Sequence, residues 1–281
     1  MNRHDKTLRT WLPAALLLAA ALPAGAGSIE ASYLSEDGTE LGLIFDEGIG
    51  LSGQAVFQLT DARTIDIWLT NTSTQRPPDP WFDDPSDQIL TSLYFDLGAP
   101  GLNAADPAII GGWAWVGDDS YSIGKDGSLS GGDEVSTLWG FGNFQYTEPG
   151  MDMLPPNLLS TNTAHTTAFQ GSETLKGPEY GLATGDTDVF PETTGGLTAI
   201  RDTIHVQAWL DRDLATLASL IEPGGFVPHI EFGSDYEFLV QDDFPPPPPS
   251  PPAVPEPLTV LACSLGVGSL AVYGRNRLRL A

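Results

Sequence analysis

Gln54-Ala55-Val56-Phe57-Gln58-Leu59-Thr60-Asp61-Ala62-Arg63-Thr64-Ile65-Asp66-Ile67-Trp68-Leu69-Thr70 is the stretch whose reading decides the fold. Side chains on a strand alternate between two faces. One face of the first half carries Ala55, Phe57 and Leu59. One face of the second carries Ile65, Ile67 and Leu69, with Asp66 and Trp68 opposite. Asp61-Ala62-Arg63 supplies the turn, so the segment predicts a half-buried hairpin. Working outward, Ile89 to Phe95, Gly112 to Val116, Val135 to Trp139, Thr203 to Leu210, His229 to Phe232 and Tyr236 to Val240 read as further strands. Many short strands between Gly, Pro and Asp turns predict an all-β fold, a β-sandwich of jelly-roll or immunoglobulin-like type. One short helix is expected to lid one end. Asp211 or Asp213 caps it, Leu214, Leu217, Ala218 and Ile221 follow helical spacing, and Pro223 ends it. Thr74 to Gln88 and Glu148 to Thr194 read as long loops, the second with room for strands that the pattern does not place.

Both ends of the chain differ in kind from this middle. Arg3, Lys6 and Arg9 precede an apolar core from Trp11 to Leu22, and Ala24-Gly25-Ala26 follows with small residues at Ala24 and Ala26. That is the pattern of a secretory signal peptide, residues 1–26, cut by signal peptidase after Ala26. At the other end Val254-Pro255-Glu256-Pro257 precedes an uncharged apolar stretch, Leu258 to Tyr273. The basic end 274–281 follows, with Arg275, Arg277 and Arg279. As a helix the stretch runs roughly 24 Å, a little under a hydrocarbon core of about 30 Å. Arginines flanking a span stay on the cytoplasmic side, so the intervening chain is expected outside the inner membrane. Pro255 and Pro257 fix φ and hold the junction extended, in the form a protease cleft can bind, and Glu256 is its one charge. Residues 244–254 form a Pro-rich spacer of extended polyproline type.

The tail from residue 255 to residue 281 resembles the PEP-CTERM sorting signal of surface proteins of Gram-negative bacteria. The resemblance implies an exosortase as partner, cleavage at or near Pro255, Glu256 and Pro257, and a transient membrane-anchored intermediate. Val260-Leu261-Ala262-Cys263 matches a lipobox in letters but lies at the wrong end of the chain. No Leu-Pro-x-Thr-Gly sortase motif is present, and a GPI signal lacks the Arg cluster. A second resemblance lies in the middle. Leu69-Thr70-Asn71-Thr72, then Asp87 to Asp96, then Gly111-Gly112-Trp113-Ala114-Trp115 and finally His229-Ile230-Glu231-Phe232-Gly233 resemble a family of exosortase-dependent surface proteins. Where that family has aromatic-Gln-Tyr-Gly, this chain has Ile230-Glu231-Phe232-Gly233. The shared residues imply strand ends and turns, and no activity comes with them. By resemblance, such proteins accompany exopolysaccharide and biofilm production.

Charge narrows the middle segment, residues 27–243. The whole chain has 12 Lys and Arg against 37 Asp and Glu, a formal charge of −25. All the acids but Asp5 and Glu256 fall between the two sorting segments, and only six of the bases do. This balance opposes nucleic acid and anionic lipid and favours solubility and divalent cations. Cys263, the only cysteine, sits in the apolar tail, so no disulfide framework or thiolate site is expected in the exported part. Asp118, Asp119, Asp126, Asp133 and Glu134 cluster in Gly-rich turns and are the best calcium candidates, since calcium takes several hard oxygen ligands. They match no EF-hand pattern, and Asp is also an ordinary turn residue. Trp68, Trp81, Trp113, Trp115, Trp139 and Trp209 could stack on sugar rings or serve as core and strand residues. His165, His205 and His229 are the histidines of this segment, and no nucleophile elbow, zinc motif or phosphate loop accompanies them. The expectation is a non-catalytic surface or matrix protein. A calcium-dependent carbohydrate-binding module and a polysaccharide-active hydrolase or lyase are its alternatives.

Overall fold

The computed structural model of the chain describes residues 28–46, 50–75, 85–98, 106–125, 127–143, 157–162, 166–172, 174–186, 190, 196–221 and 228–233. The described part is all-β. Its strands are β1 (Ser28–Leu34), β2 (Glu40–Asp46), β3 (Ser52–Asp61), β4 (Thr64–Asn71), β5 (Leu90–Phe95), β6 (Ile109–Val116) and β7 (Tyr121–Gly124). They continue with β8 (Gly140–Asn143), β9 (Asn157–Ser160), β10 (Thr167–Ala168), β11 (Leu182–Ala183), β12 (Thr198–Arg201), β13 (Thr203–Leu210) and β14 (His229–Phe232). One sheet has six strands in the order β1-β2-β3-β4-β13-β6. The other has eight, in the order β10-β8-β9-β5-β11-β12-β7, with β14 also paired to β5.

The opening hairpin is β3 and β4, and Asp61 Oδ1 accepts the Arg63 amide at 2.7 Å inside its turn. Ala55, Phe57, Ile65, Ile67 and Leu69 are fully buried, as the alternation requires, and Leu59 is half-buried near the turn. They share one core with Leu41, Leu43, Phe45, Ile204, Val206 and Ala208 of the same sheet. Leu90, Leu93, Phe95, Leu159, Leu182 and Ile200 of the other sheet complete it. Phe57 meets Phe95 edge to face across the two sheets, with centroids 5.2 Å apart. Each such side chain contributes about 1.5–3 kcal/mol by leaving water. Every residue of β5 is buried, because a second cluster of Ile89, Ile123, Ala183, Phe190 and Ala199 lies beside the first.

Asp202 is the point where the chain changes sheets. It separates β12, in the eight-stranded sheet, from β13, in the six-stranded one, and its φ is +84°. That left-handed conformation is uncommon outside Gly, Asn and Asp. Its amide donates to the Ala183 carbonyl and its carbonyl accepts from the Asn71 amide, so both sheets hold it.

Several expectations need correction. Val135 to Trp139 is not a strand: the Leu138 and Trp139 amides both turn back to the Val135 carbonyl, and the strand begins at Gly140. The expected helix shrinks to a single short 3-10 turn, Ala218–Ile221. The physical reason lies in the backbone donors. The Leu214 amide bonds to the Ala62 carbonyl and the Leu217 amide to the Gly38 carbonyl, so neither has the partner four residues earlier that a helix needs. The apolar spacing still does its work, since Leu214, Leu217 and Leu220 are buried. The stretch read as a long loop from Glu148 to Thr194 contains β9, β10 and β11. Pro85–Gln88, at the end of the other, is a short 3-10 turn. Strands β1, β2, β7 and β12 had no counterpart in the sequence reading. Tyr236 to Val240 lies outside the described residues.

The two ends of the described chain emerge together. Ser28 opens β1 opposite Asp46, which in turn lies opposite Ser52. Ser52 donates its amide to Ser73 Oγ, and Asn71 Nδ2 donates to the Gln88 carbonyl. Gly233, the last described residue, donates to the Ile89 carbonyl at 2.9 Å. Entry and exit therefore lie at one end of the sheets, and the Arg63 hairpin turn lies at the other.

Candidate functional site

The six-stranded sheet has one face on the core and one turned outward, and the polar–aromatic half of the alternating pattern lies on the outer face. Register stacks it into rows. One row runs Tyr33, Gly42, Val56, Trp68, His205 and Trp115 across the six strands. The next runs Glu40, Gln58, Asp66, Gln207 and Trp113. Trp209 follows, opposite Gly111 on β6 and Thr64 on β4.

His205 is held from three sides. Its ring is stacked on Trp68, with centroids 4.6 Å apart and planes within 3°, and it is tilted against Trp115 at 5.4 Å. Its Nε2 lies 2.8 Å from Asp66 Oδ1. Asp66 also accepts hydrogen bonds from the Thr60 hydroxyl and, at 3.4 Å, from Gln207 Nε2. The expected outward placement of Asp66 is met, yet its neighbours cover it almost completely. A buried carboxylate with several donors is a satisfied structural group.

Trp209 and Tyr33 each meet a glycine on the neighbouring strand instead. Trp209 leans over Gly111: a Cβ added to that glycine would stand 3.1 Å from the indole Cε3. Tyr33 leans over Gly42 so closely that an added Cβ would overlap its ring. The Tyr33 hydroxyl donates to Glu40 Oε1 at 2.6 Å. Partial burial, with this hydrogen bond and the Glu40 charge adding to it, pushes the phenol up to about 12. No Lys or Arg occurs in the described strands of this face.

The acidic turn after β6 is organised by its own bonds. Asp133 Oδ2 accepts the Ser130 amide at 2.8 Å and the Ser130 hydroxyl at 3.2 Å. Glu134 pairs through its backbone with Trp115 and is exposed, as are Asp118 and Asp119, while Asp126 lies outside the described residues. Among the described residues, no group of three or more His, Cys, Asp or Glu side chains converges where a metal could sit. Nearby, burial pushes the Asp202 carboxyl above its ordinary range, against the pull of Arg201 and with the Asp119 charge adding. Arg201 is itself buried, and its guanidinium donates to the carbonyls of Thr184, Gly185 and Phe190. These contacts read as a loop clasp.

The other sequence-derived candidates divide clearly. Trp139 is fully buried, and its Nε1 donates to the Tyr180 carbonyl at 3.0 Å, which makes it a core residue. His229 is stacked on Tyr94 at 4.5 Å. A groove of about 300 Å³ beside β10 is lined, among the described residues, by hydroxyls and aliphatic groups, including Thr166, Thr167, Ser172 and Leu175. Ala24, Ala26, Pro255, Glu256, Pro257, Arg275, Arg277, Arg279, Trp81 and His165 lie outside the described residues. Sequence reading missed Tyr33, Gly42 and Ile110. The signal for Tyr33 was present, since it follows an alternating run, but nothing in the sequence pairs it with a glycine on the next strand. No family model, curated protein or solved structure matches the chain.

Proposed function

We propose that the chain is an exported, non-catalytic cell-surface or extracellular-matrix protein: a β-sandwich ectodomain between a removable signal peptide and a PEP-CTERM-like tail. An exosortase cuts the tail at or near Pro255, Glu256 and Pro257. The Leu258 to Tyr273 segment is its membrane span, and Arg275, Arg277 and Arg279 form its cytoplasmic stop. The tripartite tail is the observation that carries this reading. Two features of the described residues agree with it. β1 opens at Ser28, two residues past Ala26, so a cut there leaves the strand whole. Ser28 and Gly233 emerge at one end of the sheets, which lets the chain enter and leave on the side of a single attachment. A role alongside exopolysaccharide fits the acidic, cation-poor composition, which keeps such a protein soluble in a crowded matrix.

The test is the intact mass of the protein recovered from the envelope and medium of a host with an exosortase and of one without. The expected product of the first begins at Gly27 and ends at or near Pro257, and the second retains the tail. Full-length product still carrying Arg279 in the competent host overturns the reading.

A further inference from the structure

We propose that the outer face of the six-stranded sheet binds an uncharged polysaccharide chain, with the flat rings of Trp209 and Tyr33 as its two stacking contacts. Trp209 rests on the backbone at Gly111 and Tyr33 on the backbone at Gly42. Each ring rests against the backbone of its glycine and stays partly open to solvent. Trp209 is 39% exposed and Tyr33 37%. Covering a strand glycine with a neighbouring ring is a common way to shield backbone. That alone accounts for the inner faces of the rings. It does not account for where the remaining apolar exposure lies.

Among the described residues five large hydrophobic side chains are exposed, and four of them are on or beside this face: Tyr33, Ile44, Ile110 and Trp209. They form two pairs. Ile110 adjoins Gly111 at the bulge in β6, and Ile44 lies two residues beyond Gly42 on β2. Each pair offers about 200 Å² of apolar surface, given roughly 150–250 Å² for a large side chain. A stable protein interface needs about 800 Å² on each partner. Two small flat patches therefore suit a thin ligand better than a second protein. Gly42 and Gly111 lie four strand spacings apart across the sheet, about 19 Å, and four residues apart along the strands, which is the span of several sugar rings.

The ground between the patches mixes polar groups with the rings of Trp68, Trp113 and Trp115. Gln54, Gln58 and Gln207 present amides, and Asp66 and His205 are already paired to each other. With Glu40 and Asp66 on the face and no Lys or Arg in its described strands, a polyanion is repelled. A pyranose with equatorial hydroxyls presents just this mixture. Its axial C–H face loses water against an aromatic ring, and its rim hydroxyls reach amides. Stacking needs an open ring face, so Trp68 and Trp115, packed on His205, serve the sheet instead.

The proposal is independent of the sorting reading, and failure of either leaves the other standing. The test is affinity electrophoresis of the full-length chain in a zwitterionic, sugar-free detergent. Gels contain hydroxyethylcellulose, laminarin, galactomannan, dextran or alginate. Retardation is expected in at least one neutral gel and not in alginate. Trp209→Ala and Tyr33→Ala each weaken it about tenfold, the loss of one stacking contact. Tyr121→Ala, which removes the exposed ring off this face, leaves it unchanged. Tyr33→Phe keeps the ring and therefore the binding, with equal melting temperatures as the check on folding. No retardation in any neutral gel, retardation by alginate alone, or equal retardation of wild type and Trp209→Ala overturns the proposal. So does a dimer by light scattering that Trp209→Ala dissolves, which makes a second copy the occupant.

Discussion

At the scale of single residues, glycine placement decides what the outer aromatics do. Trp68, His205 and Trp115 share a row in which each neighbouring strand carries a side chain, so the rings stand up and stack on one another. Tyr33 and Trp209 each face a glycine, and the missing Cβ lets the ring fold down onto backbone. Tyr33 offers a direct check. Partial burial is the main reason its phenol stays protonated to about 12, and the Glu40 hydrogen bond and charge add to it. The folded state favours the neutral phenol over the ordinary value near 10. Its contribution to stability is complete below about pH 10 and is lost as pH rises through about 12. A spectrophotometric titration is expected to lose one late-titrating tyrosine in Tyr33→Phe relative to the wild type. Glu40→Gln brings it only part of the way back, because burial remains. An equal number of late-titrating tyrosines in the wild type and Tyr33→Phe contradicts the assignment.

At the scale of elements, local pattern and tertiary demand separate in instructive ways. The β3–β4 hairpin follows its alternation because every inward residue finds the core and the turn finds Asp61. The segment from Leu214 to Ile221 keeps its apolar spacing but not its helix, because loops at Gly38 and Ala62 take its amides. No single-sequence periodicity announces such a competitor. Strand β6 shows a tight joint. Gly112 faces inward, and a Cβ there would overlap the Gln207 carbonyl oxygen and stand 3.0 Å from Phe169. Neither can yield without opening the pairing of β6 to β13. Gly112→Ala is expected to cost about 1–3 kcal/mol, the usual range for overpacking. The urea midpoint falls while the slope stays constant. An unchanged midpoint means that the joint is looser than these distances.

At the scale of the whole molecule, charge and topology set behaviour together. The chain's −25 is met among the described residues by only two Arg–carboxylate pairs, Arg63 to Asp213 and Arg212 to Asp211, and the first is largely exposed. Exposed pairs contribute little, whereas self-repulsion acts over the whole surface and is screened within about 10 Å at 0.1 M salt. The melting temperature at pH 7 is therefore expected to rise by a few degrees as sodium chloride increases from 0.01 to about 0.3 M. A fall means that the pairs outweigh the repulsion. The sequence by itself determined the all-β class, the inward half of the opening hairpin and the acid-rich middle, because alternation and composition are local quantities. It also drew the expectation of two sorting segments at the ends. Only the folded chain parts β12 from β13 at Asp202, brings Ser28 and Gly233 to one end, and sets Trp209 and Tyr33 against glycines while Trp68 stacks on His205. Each depends on which strand becomes a neighbour, and hydrogen bonding between distant segments fixes that, not the order of residues within any one of them.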